Sequence, residues 1–304
     1  MRYETDSLAE LTGFADAQAE LGERPRRGYW ARVWLRLRGD RVTLLAMAVL
    51  LALVLAAIFA PWIVTHDPLQ GSVVARLKGF GYGGHILGTD ETGRDMYSRL
   101  VYGARLSLIT GVLPVFLALL VGGCLGVAAG YFRGLVNTLV MRVMDVLYAF
   151  PSILLAIAIT GMLGSGIGNT ILALTITFIP PMVRISETVT SQVRAMDYVE
   201  VARASGARPL MVMRYHVFNN ILGPILVYAT SLISISIILA AGLGFLGLGV
   251  APPNAEWGLM LNNLRSAIWV NPLIAALPGV MIFVTSMCFN LMSDGLRRAM
   301  DLRL

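Results

Sequence analysis

Charged residues leave five long stretches of this chain untouched: 42–64, 106–132, 146–183, 217–250 and 266–293. A bilayer core about 30 Å thick takes roughly 20 residues of apolar helix to cross, and every stretch reaches that length. The third is long enough to cross twice. Gly164-Ser165-Gly166-Ile167-Gly168-Asn169 interrupts it, and such a glycine cluster reads as a tight turn. The pattern therefore predicts an all-α integral membrane protein with six transmembrane helices. They are expected near 42–64, 106–130, 143–163, 167–185, 221–242 and 270–293, so that a transmembrane domain over 42–304 follows a tail over 1–41.

Composition points the same way. Of the 304 residues, 57 % are apolar and 14 % charged, against about 45–50 % and about 25 % in soluble domains. That excludes an intrinsically disordered chain, which needs low hydrophobicity and high net charge. Cys124 and Cys288 are the only cysteines and both sit in apolar runs, so nothing points to a disulfide framework. The net charge of +6 changes meaning once it is mapped. With the N-terminus inside, eight basic residues fall in the N-terminal tail, two in 131–142, five in 184–220 and three in the C-terminal tail, against five in 65–105 and one in 243–271 outside. Basic residues gather on the cytoplasmic side of membrane proteins, so both termini are expected in the cytoplasm. The charge is a topology signal, not a nucleic-acid footprint. The first apolar run is also too long, and starts too late, for a cleaved signal peptide. Residues 1–23 carry six acids, which suits a loose tail or a short surface helix.

Within the second span Ala118, Gly122, Gly126 and Gly130 recur at spacings of four. Small residues so placed let two helices approach closely in lipid, within one chain or between two. Pro114, Pro151, Pro180, Pro181, Pro224 and Pro278 lie in or beside spans; each removes a backbone donor and bends its helix. Bent helices in membranes are tolerated where they face protein or a water-filled cavity, which favours a transporter over an anchor. Asp145 is the one acid beside a span, with Arg142 on the same helical face, and the two read as a snorkelling ion pair. No acid sits near the middle of a span, which argues against proton or sodium coupling.

The loop 186–220 is too long for a bare connection. Asp197 and Glu200 stand at capping-box spacing, Gly206 suits a left-handed helix end, and Pro209 the first turn of a second helix. The expected result is helix, glycine turn, helix. Ala202, Ala204 and Ala207 would then give a smooth face, for a partner's groove or simply for closing the loop. On the other side, 88–95 reads GTDETGRD and opens an amphipathic stretch into the second span. Thr89 or Thr92 is expected to cap it, and Asp95 with Arg99 to form an i,i+4 pair. The segment 245–261 is rich in Gly and Pro and reads as an irregular or re-entrant loop, with Trp257 and Trp269 as interface anchors.

Catalytic motifs do not emerge. GLGFLG at 242–247 matches a dinucleotide fingerprint in letters, but an apolar run of about 20 residues precedes it and no helix start follows. Lys78 is the only lysine and Leu77 precedes it, so there is no phosphate-binding loop and the chain is not an ATP-hydrolysing subunit. His66, His85 and His216 are far apart and lack metal-ligand spacing. No metal and no enzyme are expected.

Four runs carry a resemblance. DYVEVARASGARPLMVMRYHVFNN at 197–220 resembles the E-A-A-x-x-x-G coupling loop of ABC-importer permeases. LGTDETGRDMYSRLVYGARLSL at 87–108, FLGLGVAPPNAEWGLML at 245–261 and FNLMSDGLRRAMDLRL at 289–304 are similar, in order and spacing, to the C-type permease subunit of dipeptide, oligopeptide and nickel importers. The resemblance implies the six-helix permease fold with a cytoplasmic coupling helix. It implies that Glu200, Ala202 and Gly206 belong to the helix that docks in an ATPase groove; Arg203 and Arg208 stand beside them, placed to pair with acids there. It also implies that Thr89, Asp90, Gly93, Arg94, Asp95 and Trp257 belong to an outer vestibule under a solute-binding protein. Val201 stands in place of the usual alanine and Asn219 in place of the usual proline, which bears on the fit to the ATPase and the bend before the fifth span.

The implied assembly joins this chain to a second homologous permease, two cytoplasmic ATPase subunits that hold ATP and Mg, and an extracytoplasmic binding protein, in a bacterial inner membrane. No cofactor is expected in the chain itself. Its implied role is half of an import pathway for di- or oligopeptides or a related small solute. Nickel import by the same family and an ion-coupled secondary transporter are the alternatives.

Overall fold

A computed structural model describes residues 29–300; the acidic segment 1–23 of the expected tail lies outside them. Among the described residues every regular element is helical. Among them, five helical segments are long and apolar enough to cross a membrane: Arg41–Ile58, Met96–Phe132, Ile167–Arg194, Pro209–Phe245 and Pro272–Met300. A sixth crossing requires Gly134–Tyr148 and Ser152–Leu163 to be taken together, bent by 84° at their break. A single helix was expected near 143–163. Pro151 sits at the break, where it has no N–H to continue the ladder and disfavours helical backbone in the residue before it.

The first described helix, α1 (Tyr29–Gly39), packs Val33 and Leu37 against Val227, Ala299 and Met300. Asp40 then starts α2 (Arg41–Ile58), its carboxylate accepting from the N–H groups of Val42 and Thr43. The same carboxylate accepts from Arg298 Nη2 at 2.6 Å, which lowers the Asp40 pKa from 3.8 to about 2. The first span and the last are thereby tied at one end. A short helix, α3 (Ala60–Ile63), follows α2.

At the centre α4 (Met96–Phe132) lies along α7 (Ile167–Arg194). The stripe of small residues forms their seam within the chain. A Cβ on Gly122 would stand 3.0 Å from the Ile179 carbonyl oxygen, and one on Gly130 2.6 Å from that of Glu187. Helix α7 runs past its expected end near 185 because its polar turns find partners. Asn137 Nδ2 and Ser191 Oγ both donate to Glu187 Oε1, at 2.9 and 3.0 Å.

Helices α5 (Gly134–Tyr148) and α6 (Ser152–Leu163) flank this pair. Asp145 does not pair with Arg142. Its Oδ1 accepts from Arg184 Nη2 of α7 at 2.6 Å, a partner that no offset along α5 reveals.

Two short helices, α8 (Asp197–Ala204) and α9 (Pro209–Val212), precede α10 (Phe218–Phe245). After a loop come α11 (Trp257–Asn263) and α12 (Pro272–Met300). The helix ends sort into two groups. One, the loop end, gathers 59–95, 164–166 and 246–271, with Gly166 N–H donating to Gly249 O at 2.9 Å. The other, the knob end, gathers Asp40, Arg133, 195–217 and Arg298.

Candidate functional site

At the loop end the run 88–95 folds into a buried polar knot centred on Asp90. Its Oδ1 accepts from Thr92 N, Thr92 Oγ1 and Arg94 N at 2.8, 2.9 and 2.9 Å. Its Oδ2 accepts from Arg94 Nε at 2.8 Å and lies 3.2 Å from Arg99 Nε. Thr89 is fully buried; its hydroxyl donates to Ala75 O and accepts from Lys78 N. Gly93 turns the chain at φ +77°, where a Cβ would strike Ser72. Burial, and then the charge of Asp90, push the Glu91 carboxyl upward.

Arg99 is 1 % exposed. It reaches Pro68 O at 3.0 Å and, at 3.5 Å, Pro253 O and Asn254 O. One guanidinium thus holds both loops against α4.

Neither Thr89 nor Thr92 caps α4. Asp95 does, with Oδ2 accepting from Ser98 N at 2.7 Å, the reach from an N-cap to the third helical amide. That cap also separates Asp95 from Arg99, which turns to Asp90 instead. Burial pushes the Asp95 carboxyl up, but the bonds from Ser98 and His85 outweigh it and leave the carboxyl below its ordinary value.

Glu256 caps α11. Its carboxylate accepts from Gly258 N and Leu259 N, both at 2.8 Å, and from Ser107 Oγ of α4 at 3.1 Å. Burial pushes it upward against these bonds. Trp257 is not an interface anchor: it is fully buried against Gly103 of α4, and its Nε1–H donates to Leu100 O at 3.0 Å. Trp269, by contrast, is 91 % exposed.

At the knob end α8, Gly206 and α9 form a helix, a turn and a helix. Gly206 takes φ +81°, the left-handed conformation that ends helices, and Pro209 opens α9. The capping box is not formed. Met196 occupies the cap position and makes no side-chain cap bond, while Asp197 and Glu200 lie in the first turn, where their charge suits the helix dipole. The alanine face is not presented outward as a whole. Ala202 and Ala207 pack inward beside the fully buried Val199 and Val212. Val201, Arg203, Ala204, Arg208, Leu210 and Met211 are exposed instead. Tyr131 of α4 donates its hydroxyl to Pro209 O at 3.0 Å, and a π-type turn, Met213–Val217, leads directly into α10.

Residues 122–304, which hold the seam glycines, the knob and the last helices, match the family of binding-protein-dependent transport system inner membrane components. The chain belongs to that family. Residues 28–78 of the permease match the N-terminal transmembrane domain of oligopeptide transport permease C. The permease is 38 % identical over 275 residues to the glutathione transport system permease protein GsiD of Pectobacterium atrosepticum, covering 90 % of this chain and 91 % of that one. It is 40 % identical over 272 residues to GsiD of Escherichia coli O6:K15:H31, covering 90 % of each. In fold it is similar to a chain of the MetNI methionine ABC transporter in an inward-facing conformation, with a TM-score of 0.56 at 20 % identity, over 68 % of this chain and 98 % of that chain. It is a multi-pass inner-membrane transport subunit of an ABC importer, not an enzyme.

The permease brings Thr89, Asp90, Gly93, Arg94 and Asp95 into one knot and links Trp257 to it through α4. It groups Glu200, Ala202, Arg203, Gly206 and Arg208 at the opposite end. Sequence reasoning missed Ser107 and Glu256. A signal for Glu256 existed, since an acid directly after Pro252-Pro253-Asn254-Ala255 marks a helix start. It also set His66 and His85 apart, whereas the fold stacks their rings at 4.4 Å between centroids; two histidines on separate loops carry no spacing that could reveal this. Finally, a cavity of about 300 Å³ opens at the break between α5 and α6, lined by Tyr148, Phe150, Pro151, Leu155, Thr177 and Pro180 among others.

Proposed function

We propose that this permease forms half of the membrane pathway for a short peptide or peptide-like solute, and that the knob couples it to a cytoplasmic ATPase. It pairs with a second, homologous permease and with two ATPase subunits that hold ATP and Mg; it receives cargo from an extracytoplasmic binding protein. The match to oligopeptide permease C and the relatives named for glutathione support the cargo class. The arginine distribution supports a cytoplasmic knob end with both termini inside, and an outer loop end. In this reading residues 1–41 are cytoplasmic and 42–304 form the transmembrane unit.

The observation that carries the coupling is how the knob is built. Its inner face is sealed into the core by Val199 and Val212 and bonded to α4 by Tyr131, while its outer face shows Glu200, Arg203 and Arg208 to solvent. A push on such a body moves α4 and α10 rather than deforming the loop, because packed cores shift as rigid units. Gly206 fixes the angle between α8 and α9. Thr89, Asp90, Gly93, Arg94, Asp95 and Trp257 shape the outer vestibule from beneath its surface.

Gly206→Pro tests the coupling, since proline is locked near φ −65° and cannot take the observed turn. Peptide uptake and ATPase retention should be lost while membrane insertion, read by immunoblot of washed membranes, stays normal. Uptake at the wild-type rate would overturn the assignment. A reporter fused after Leu304 should be active only in the cytoplasm; a signal from the other side would reverse the orientation.

A further inference from the structure

We infer that His66, His85 and Asp95 form a binding site for a divalent transition metal of the zinc class at the loop end. The three come from separate segments: His66 from the loop after α3, His85 from the end of the turn Tyr82–Gly84, and Asp95 from the cap of α4. One ligand atom from each lies within 4.8 Å of the other two. His85 Nδ1 stands 2.9 Å from Asp95 Oδ1, and His66 Nδ1 stands 3.9 Å from the same oxygen. Ligand atoms bonded at about 2.0–2.1 Å to a tetrahedral zinc stand roughly 3.3 Å apart, so the observed distances bracket the one required. Small side-chain rotations would seat the ion where the His85–Asp95 hydrogen bond now runs.

The surroundings are those of a supported site. Asp95 Oδ2 is held by Ser98 N at 2.7 Å and by Thr65 Oγ1 at 3.4 Å, which leaves Oδ1 for the imidazoles. Hydrogen bonds to the non-ligating atom are what orient ligands in metal sites. Side-chain exposure rises from 0 % for Asp95 to 17 % for His85 and 39 % for His66. An ion therefore has a way in, and a water can fill its fourth position. Two imidazoles and one carboxylate suit zinc, nickel or cobalt, whereas magnesium and calcium take oxygen ligands. Neither imidazole has a part in the coupling. A bound ion would cross-link three segments of the loop end.

The test uses the assembled transporter in detergent, purified without a histidine tag and stripped with chelator. Calorimetric titration with zinc chloride, with elemental analysis after desalting, should find one more zinc per permease chain than in the His66→Gln/His85→Gln double variant, with a Kd of about 1 µM or tighter. His66→Gln alone leaves the His85–Asp95 bond and the α4 cap in place, so it should fold normally and weaken binding by at least about tenfold. Zinc, but not magnesium, should raise the unfolding temperature of the wild type and leave that of the double variant unmoved. Equal zinc content in wild type and double variant, or an unchanged affinity in His66→Gln, would overturn the site.

Discussion

The two ends of the permease treat charge in opposite ways. At the loop end Asp90, Arg94, Asp95, Arg99 and Glu256 are buried, and each is bonded within the chain. At the knob end Glu200, Arg203 and Arg208 are exposed, and among the described residues no ion pair engages them. A buried charge must be paired, because an unpaired one retains its full desolvation penalty. The loop end is therefore fixed in shape by its own side chains. The knob itself leaves Glu200, Arg203 and Arg208 unpaired on its outer face, while its apolar side seals it to the helices beside it.

Arg99→Ala should break this contrast hardest. It leaves Asp90 with one cation fewer and releases the carbonyls of Pro68, Pro253 and Asn254, so a loss of about 3–5 kcal/mol is expected, read as a collapse of the unfolding temperature in detergent. Gly130→Leu comes next. It forces α4 away from the Glu187 carbonyl and should destabilise by about 1–3 kcal/mol, with loss of the monodisperse peak in size exclusion as a second readout.

Asp40→Asn should act more weakly. Its folded pKa of about 2 lies below the 3.8 of the unfolded chain, so the Arg298 pair contributes fully above pH 3.8 and is lost as pH falls toward about 2. The variant keeps the helix cap, should lose that acid-side dependence in unfolding scans, and should change little at neutral pH, since exposed pairs contribute little. Smallest of all in stability are Arg203→Ala and Arg208→Ala, expected within about 0.5 kcal/mol of wild type. A large destabilisation by either would erase the contrast between the ends.

What was legible in the sequence follows the range of the forces involved. The apolar runs, the seam of Ala118, Gly122, Gly126 and Gly130, and the turn at Gly206 are governed by local geometry, which spacing along one helix or turn expresses directly. The knob's position was equally plain, but which face it shows was not. Ala202 and Ala207 are small because they fit against the core, and their size alone did not say which side they face. The partners of charged residues were misjudged wherever they lie outside the same helix. Asp145 meets Arg184, and Arg99 meets Asp90 because Asp95 is already engaged as a cap. His66 and His85 are the extreme case, joined only by the folding of two loops around the start of α4.

The most direct measurement of the coupling claim is co-purification of ATPase subunits with the tagged permease from native membranes in mild detergent, comparing wild type with Arg203→Glu/Arg208→Glu. The wild type should bring down two ATPase chains and a second permease with nucleotide hydrolysis, and the variant the second permease alone. ATPase retained by the variant at wild-type stoichiometry, or a wild-type chain that emerges without any ATPase, would contradict the coupling role of the knob.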